Sequence, residues 1–318
     1  MSATRDARAE AEARIGRPAR VLEPSPPAVD EPPWFADDPL AASDPGPVMP
    51  IGQGPGTWDA IARRDDGLAH WCAERWLGAW RRLEGTPPGY AATRDALHRL
   101  AVYAMSPARR TANGKIGLRF TYRGFGTPFF AGDRQVRMEA QELVVAGGGT
   151  ERRHGLTTLA AAAAAIGVEL DLGAAMDFDV PPPGDPDARL AVDAEAAAAL
   201  GDWFGFAASV LEELRASAGP ADDPPDRVQL WPEHFDMAVS MGRQGERSRA
   251  VYGGSPGDAG HPAPYLYVTP SAGLPDDDVF WIRTPFAGAR LGLEALLAAD
   301  DQRAAALAFF AEARRRLT

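Results

Sequence analysis

The chain has 318 residues, 45% of them hydrophobic, enough for a sizeable core in one large body or two small ones. Its formal net charge of -11 argues against nucleic acid and anionic membrane as partners, because like charge opposes encounter with polyanions. The single cysteine, Cys72, forms no intramolecular disulfide, no apolar run has the length of a signal peptide core or a spanning helix, and the expected setting is the cytoplasm. Lys115 is the only lysine among 33 basic residues, an arginine bias that reads as a GC-rich bacterial genome.

In chain order, ten prolines fall between Pro18 and Pro50 among Asp, Glu, Ser and Ala. Such a composition buries too little apolar surface to offset backbone ordering, so residues 1–56 read as a disordered or extended arm. Within it Pro32-Pro33-Trp34-Phe35 places two aromatics after an extended pair, a segment suited to docking on the body or on a partner groove. The body is expected over 57–318, with possible halves 57–180 and 187–318.

Leu68, Trp71, Cys72, Leu77, Trp80 and Leu83 approximate a helical stripe, followed by a helix over Thr93 to Ala104 that Pro107 should close. The period then changes to alternation: Ile116, Leu118 and Phe120 share one side of a strand, and Val136 and Met138 repeat the pattern. Leu143 to Val145, Gly147 to Gly149 and Glu151 to His154 read as a hairpin, and Thr157 or Thr158 should cap an alanine-rich helix that Gly167 stops. After Pro181-Pro182-Pro183-Gly184, a long amphipathic helix carries Leu200, Trp203, Phe204, Val210, Leu211 and Leu214. A second β-rich stretch follows through Val228, Leu230, Ala250 to Tyr252, Tyr265 to Val268 and Val279 to Ile282, and two helical segments near Leu291 to Ala299 and Asp301 to Leu317 close the chain. Strands and helices come in runs, which predicts α+β with two β-meanders, read as antiparallel, and flanking amphipathic helices.

The segments Leu97-His98-Arg99-Leu100, Gly114-Lys115-Ile116-Gly117-Leu118-Arg119, Tyr122-Arg123-Gly124 with Thr127-Pro128, His234-Phe235-Asp236 and Tyr265-Leu266-Tyr267 carry a resemblance. Through them residues 93–317 resemble a domain-of-unknown-function family of actinobacterial proteins. The resemblance implies an architecture and no reaction.

The densest polar constellation is Trp231-Pro232-Glu233-His234-Phe235-Asp236, followed by Ser255-Pro256-Gly257-Asp258-Ala259-Gly260-His261. If 233–236 are extended, His234 and Asp236 share a face and form an acid/base pair. With His261 they make two imidazoles and a carboxylate, a ligand set for a divalent metal cofactor. The bland alternative is that His234 and Asp236 bond to neighbouring backbone or arginines while His261 sits in a surface turn. Ser255 lies in a turn sequence and lacks a nucleophile elbow. Lys115 and Arg119, with Arg123, Arg134 and Arg137, are candidate anion or substrate contacts, although such a face is also expected to pair with Glu139, Glu142 and Glu151. Tyr252, Tyr265 and Tyr267 are the expected lining of a pocket beside His234. Two functions stand side by side: a small-molecule-binding protein or metal-dependent enzyme centred on His234, and a noncatalytic protein that recruits a partner through its arm.

Overall fold

The computed structural model describes residues 83–318 apart from 122–123, 129, 132–133, 148–149, 174–179, 224, 276–278 and 285. The proline-rich arm, its Trp34-Phe35 pair, the tryptophan-rich stripe around Cys72, and Tyr122, Arg123 and Phe129 lie outside the described residues.

Helix α1 spans Tyr90–Leu100. It passes through a wider π-helical turn, Ala101–Met105, into α2, Ser106–Asn113. Pro107 therefore does not end the helix. The wider π turn just ahead of it takes up the shift its ring and missing N–H require, and Gly114 at φ 75° makes the actual stop.

The first meander is β1 (Arg119–Thr121), β2 (Gly124–Gly126), β3 (Gln135–Glu139), β4 (Glu142–Gly147) and β5 (Thr150–Gly155), antiparallel and in sequence order. Helix α3, Leu159–Ile166, follows, with the Thr158 hydroxyl accepting from the Ala161 N–H and Gly167 closing it at φ 78°. Helix α4, Ala194–Ala216, starts at Asp193, whose carboxylate accepts from the N–H groups of Glu195 and Ala196.

The second meander is β6 (Gln229–Trp231), β7 (Asp236–Met241), β8 (Ala250–Ser255), β9 (Tyr265–Pro270) and β10 (Ala289–Gly292), again antiparallel in sequence order. Helices α5 (Leu293–Ala298) and α6 (Gln302–Leu317) close the chain. The expected strand at Val279 to Ile282 does not form. Ile282 makes only a bridge to Gly288, while Phe280 and Trp281 meet edge to face and Phe280 packs on Phe309 of α6. Packing accounts for the two aromatics there, Trp281 being buried and Phe280 half-buried, while Val279 is exposed, and the fifth strand is the less apolar Ala289–Gly292.

The fold is thus α+β with two antiparallel five-stranded meanders. They meet edge to edge where Leu118 and Leu230 exchange both backbone hydrogen bonds, at 2.8 and 2.9 Å. Helix α4 packs across this seam, against β1 and β2 on one side and β7 and β8 on the other. Gly254 permits its close approach, because a Cβ there would be forced against the Ala207 methyl. Among the described residues no helix is long and apolar enough to cross a membrane.

Candidate functional site on the second meander

The segment around His234 is a turn, not an extended run. Trp231 pairs with Asp236 across the β6–β7 hairpin, and the Trp231 carbonyl accepts from the N–H groups of His234 (3.2 Å) and Phe235 (2.7 Å). Phe235 takes a left-handed conformation at φ 53°, uncommon for a residue with a bulky side chain. Packing holds it there. Its ring is buried, stacked on the His98 imidazole with centroids 4.9 Å apart and edge-on to Phe125 and Phe204. The same turn leaves His234 exposed and Asp236 buried, so the two do not share a strand face as the alternation predicted.

Asp236 opens β7 on the sheet face turned away from α4. Strand alternation and register set its company: Ala238, on the same face, pairs with Gly253, Gly253 with Tyr267, and Tyr267 with Arg290. Gly253 is the enabling residue. A Cβ at that position would be driven into the Tyr267 ring, so the ring lies over the bare glycine and its hydroxyl reaches Asp236 Oδ2 as a donor. Asp236 Oδ1 is also buried, and no other residue donates a hydrogen bond to it. Burial pushes the Asp236 carboxyl up to about 6 and Glu233 adds to the rise, while the Tyr267 hydroxyl, His234 and the residue's own backbone N–H oppose it. The Tyr267 phenol is itself held well above its ordinary range, first by burial and then by the Asp236 charge.

Beside this pair, the Tyr265 hydroxyl donates to Asp258 Oδ2 at 2.8 Å. Asp258 Oδ1 accepts from the N–H groups of Gly260 and His261, each at 2.7 Å, and thereby shapes the loop after β8. The His261 ring meets the edge of Tyr265 at 5.1 Å, and the Arg290 guanidinium lies 5.4 Å from the centre of the same Tyr265 ring. Burial and the Arg290 charge lower the His261 pKa, with Asp258 opposing them. Ser255 is buried, and its hydroxyl accepts from the Gly257 N–H, as a turn residue does.

The expected metal triad is not assembled. Among the described residues no group of three His, Cys, Asp or Glu side chains is placed to hold a metal ion. His261 is committed to the loop beside Tyr265, and the Tyr267 hydroxyl takes one oxygen of Asp236. Tyr252 is also misplaced by the expected pocket. It is one residue from Gly253 on β8, so it faces the other side of the sheet, where its ring packs edge-on against Phe310 of α6.

Lys115, in the turn ahead of the first meander, and Arg119, which opens β1, do not join the His234 region. The Lys115 N–H donates to Asn113 Oδ1 in the turn that leaves α2. Arg119 is buried beside Arg227 and Glu212; burial and the Arg227 charge hold its pKa well below the usual range. Arg137 follows the ion-pairing expectation, and Arg153 of β5 joins the same network. Arg137 bonds to Glu139 and Glu151, and Arg153 to Glu139 and Glu142.

Three residues of α1 frame the site and were not singled out from the sequence as contacts to it. Tyr90, Arg94 and His98 recur at i, i+4 and i+8, one helical stripe. The Tyr90 hydroxyl donates to the Pro256 carbonyl at 3.2 Å, and Arg94 Nη1 to the Pro262 carbonyl at 3.2 Å. His98 Nε2 lies 2.9 Å from the Pro232 carbonyl, which can only accept, so this nitrogen carries the proton. Burial lowers the His98 pKa to about 4, and the imidazole stays neutral. The four-residue spacing of Tyr90, Arg94 and His98 was the available signal, and Thr93, Asp95 and Arg99 on the same helix obscured it. Phe286, edge-on to Tyr267 at 6.1 Å, and Arg290 carried none, since both fall in a stretch without a recognisable strand pattern.

Comparison of the chain with protein-family models, curated proteins and solved structures returned no match.

Proposed function

We propose that this protein binds a small polar molecule on the outer face of the second meander, with Asp236 as the anchoring carboxylate. One observation carries the reading: Asp236 Oδ1 is buried and no other residue donates a hydrogen bond to it, a costly state for a carboxylate unless another molecule supplies one. A group titrating near 6 also populates both protonation states around neutrality, so the same carboxyl can take up and return a proton if the bound molecule reacts. Tyr267 positions it, and exposed His234 stands at the rim of the turn.

The test is a thermal-shift panel of small amines, polyols and hydroxy acids on the full chain, Asp236→Asn and Tyr267→Phe. A molecule that stabilises the wild-type chain should lose that effect in Asp236→Asn, since only binding to the folded state raises the transition. Equal stabilisation of both chains would remove Asp236 from the site and defeat the proposal.

A further inference from the structure

The surroundings of the unpaired oxygen restrict what can bind there. Asp236 is 6% exposed, and its Oδ1 calls for a hydrogen-bond donor. A second carboxylate, Asp258, stands on the same face behind Tyr265. The rings follow one another in edge and tilted contacts: His261 to Tyr265 at 5.1 Å, Tyr265 to Tyr267 at 6.2 Å, Tyr267 to Phe286 at 6.1 Å. Aromatic faces are electron-rich, and this row already attracts a cation, since the Arg290 guanidinium lies over Tyr265. Two carboxylates with aromatic rings disfavour an anionic ligand and favour a positive one. The chain's net charge of -11 draws the same class toward the surface.

From this juxtaposition we infer that the ligand is a primary organic amine, bound as its ammonium, with one N–H donated to Asp236 Oδ1 and its carbon chain against the Tyr267 and Phe286 rings. The inference rests on the binding reading above and names its ligand class. A primary ammonium fits better than a quaternary one because the open acceptor needs an N–H. It also fits better than a neutral alcohol, because both would donate to the same carboxylate but only the ammonium adds the attraction of a full opposite charge.

The test compares n-butylamine with n-butanol, two probes of matched shape, by ligand-observed NMR titration at pH 7.5 on the full chain. The expected result is butylammonium binding roughly tenfold or more tighter than butanol. Asp236→Asn, close in shape to the native side chain, should abolish that preference. Gly253→Ala gives a second reading, because its methyl pushes the Tyr267 ring off the strand and should also reduce the preference. Undetectable butylammonium binding, or equal affinity for the two probes, overturns the amine inference. If both probes bind equally and both are lost in Asp236→Asn, the site stands and only its ligand class is wrong. A preference that survives Asp236→Asn and Gly253→Ala refutes both.

Discussion

Asp236 sets a pH dependence whose sign is opposite to that of most acidic residues. Its carboxyl titrates near 6 in the fold against an ordinary value of 3.8, so between these limits the native state holds more proton than the unfolded chain. Stability attributable to this group is therefore present at low pH and is lost as pH rises through 6. Above 6 the buried charge is a net cost. His98 acts in the other direction: with a pKa near 4 against 6.5, its contribution is present above 6.5 and lost as pH falls toward 4. The two must be separated, which the difference between wild type and Asp236→Asn does, because His98 is common to both. Glu233 and His234, whose charges act on Asp236, are present in both chains as well. Asp236→Asn should therefore melt a few degrees above wild type at pH 8, with the gap closing by pH 4.5; a gap independent of pH would mean that the carboxyl is not raised. A stabilising substitution at a binding residue is the expected signature of a group retained for function.

At the scale of elements, α1 ties the site together. Its Tyr90, Arg94 and His98 each end on a backbone carbonyl of the second meander, so the helix holds the β6–β7 turn and the loop after β8 in fixed relation. His98→Ala would leave the buried Pro232 carbonyl without its donor and remove the ring stacked on Phe235, a combined loss of about 2–4 kcal/mol. A melting temperature lower by about 5–10 °C is expected, against little change for Ala92→Ser on the exposed side of the same helix. Comparable effects from the two substitutions would show that the stripe fastens nothing. This scale also shows what the sequence made legible. The β4–β5 hairpin, the Thr158 cap and the long α4 follow from local periods and turn residues, and all three form as read. Pro107 misled because a π-turn ahead of it absorbs the change in helical register. Val279 to Ile282 misled because a β-like composition also serves aromatic packing.

For the molecule as a whole, what local pattern could not supply is register. Asp236 meets Tyr267 only because Gly253 stands between them on β8, a relation set across three strands. Histidine and acidic residues drew attention to 234–261, where the partnership that forms is a carboxylate with a tyrosine. The expected metal set was defeated by a turn whose handedness depends on Phe235 packing into α1 and α4. That packing reflects how the two meanders are joined. Leu118, just ahead of β1, and Leu230 of β6 are almost wholly buried, 1% and 0% exposed, where they bridge the sheets, and α4 covers both sides of the seam. A core continuous across the seam couples the sheets, so neither meander should melt alone. Leu230→Ala removes side-chain volume at that joint and should cost about 2–5 kcal/mol, as large-to-small core substitutions do. Hydrogen exchange at increasing denaturant is the decisive measurement. If the seam is cooperative, β3–β4 and β7–β8 lose protection at the same denaturant concentration in wild type, and both shift downward together in Leu230→Ala. A first meander that kept its protection while the second opened would show two independent folding units, with Leu118 and Leu230 a contact between them instead of a shared core.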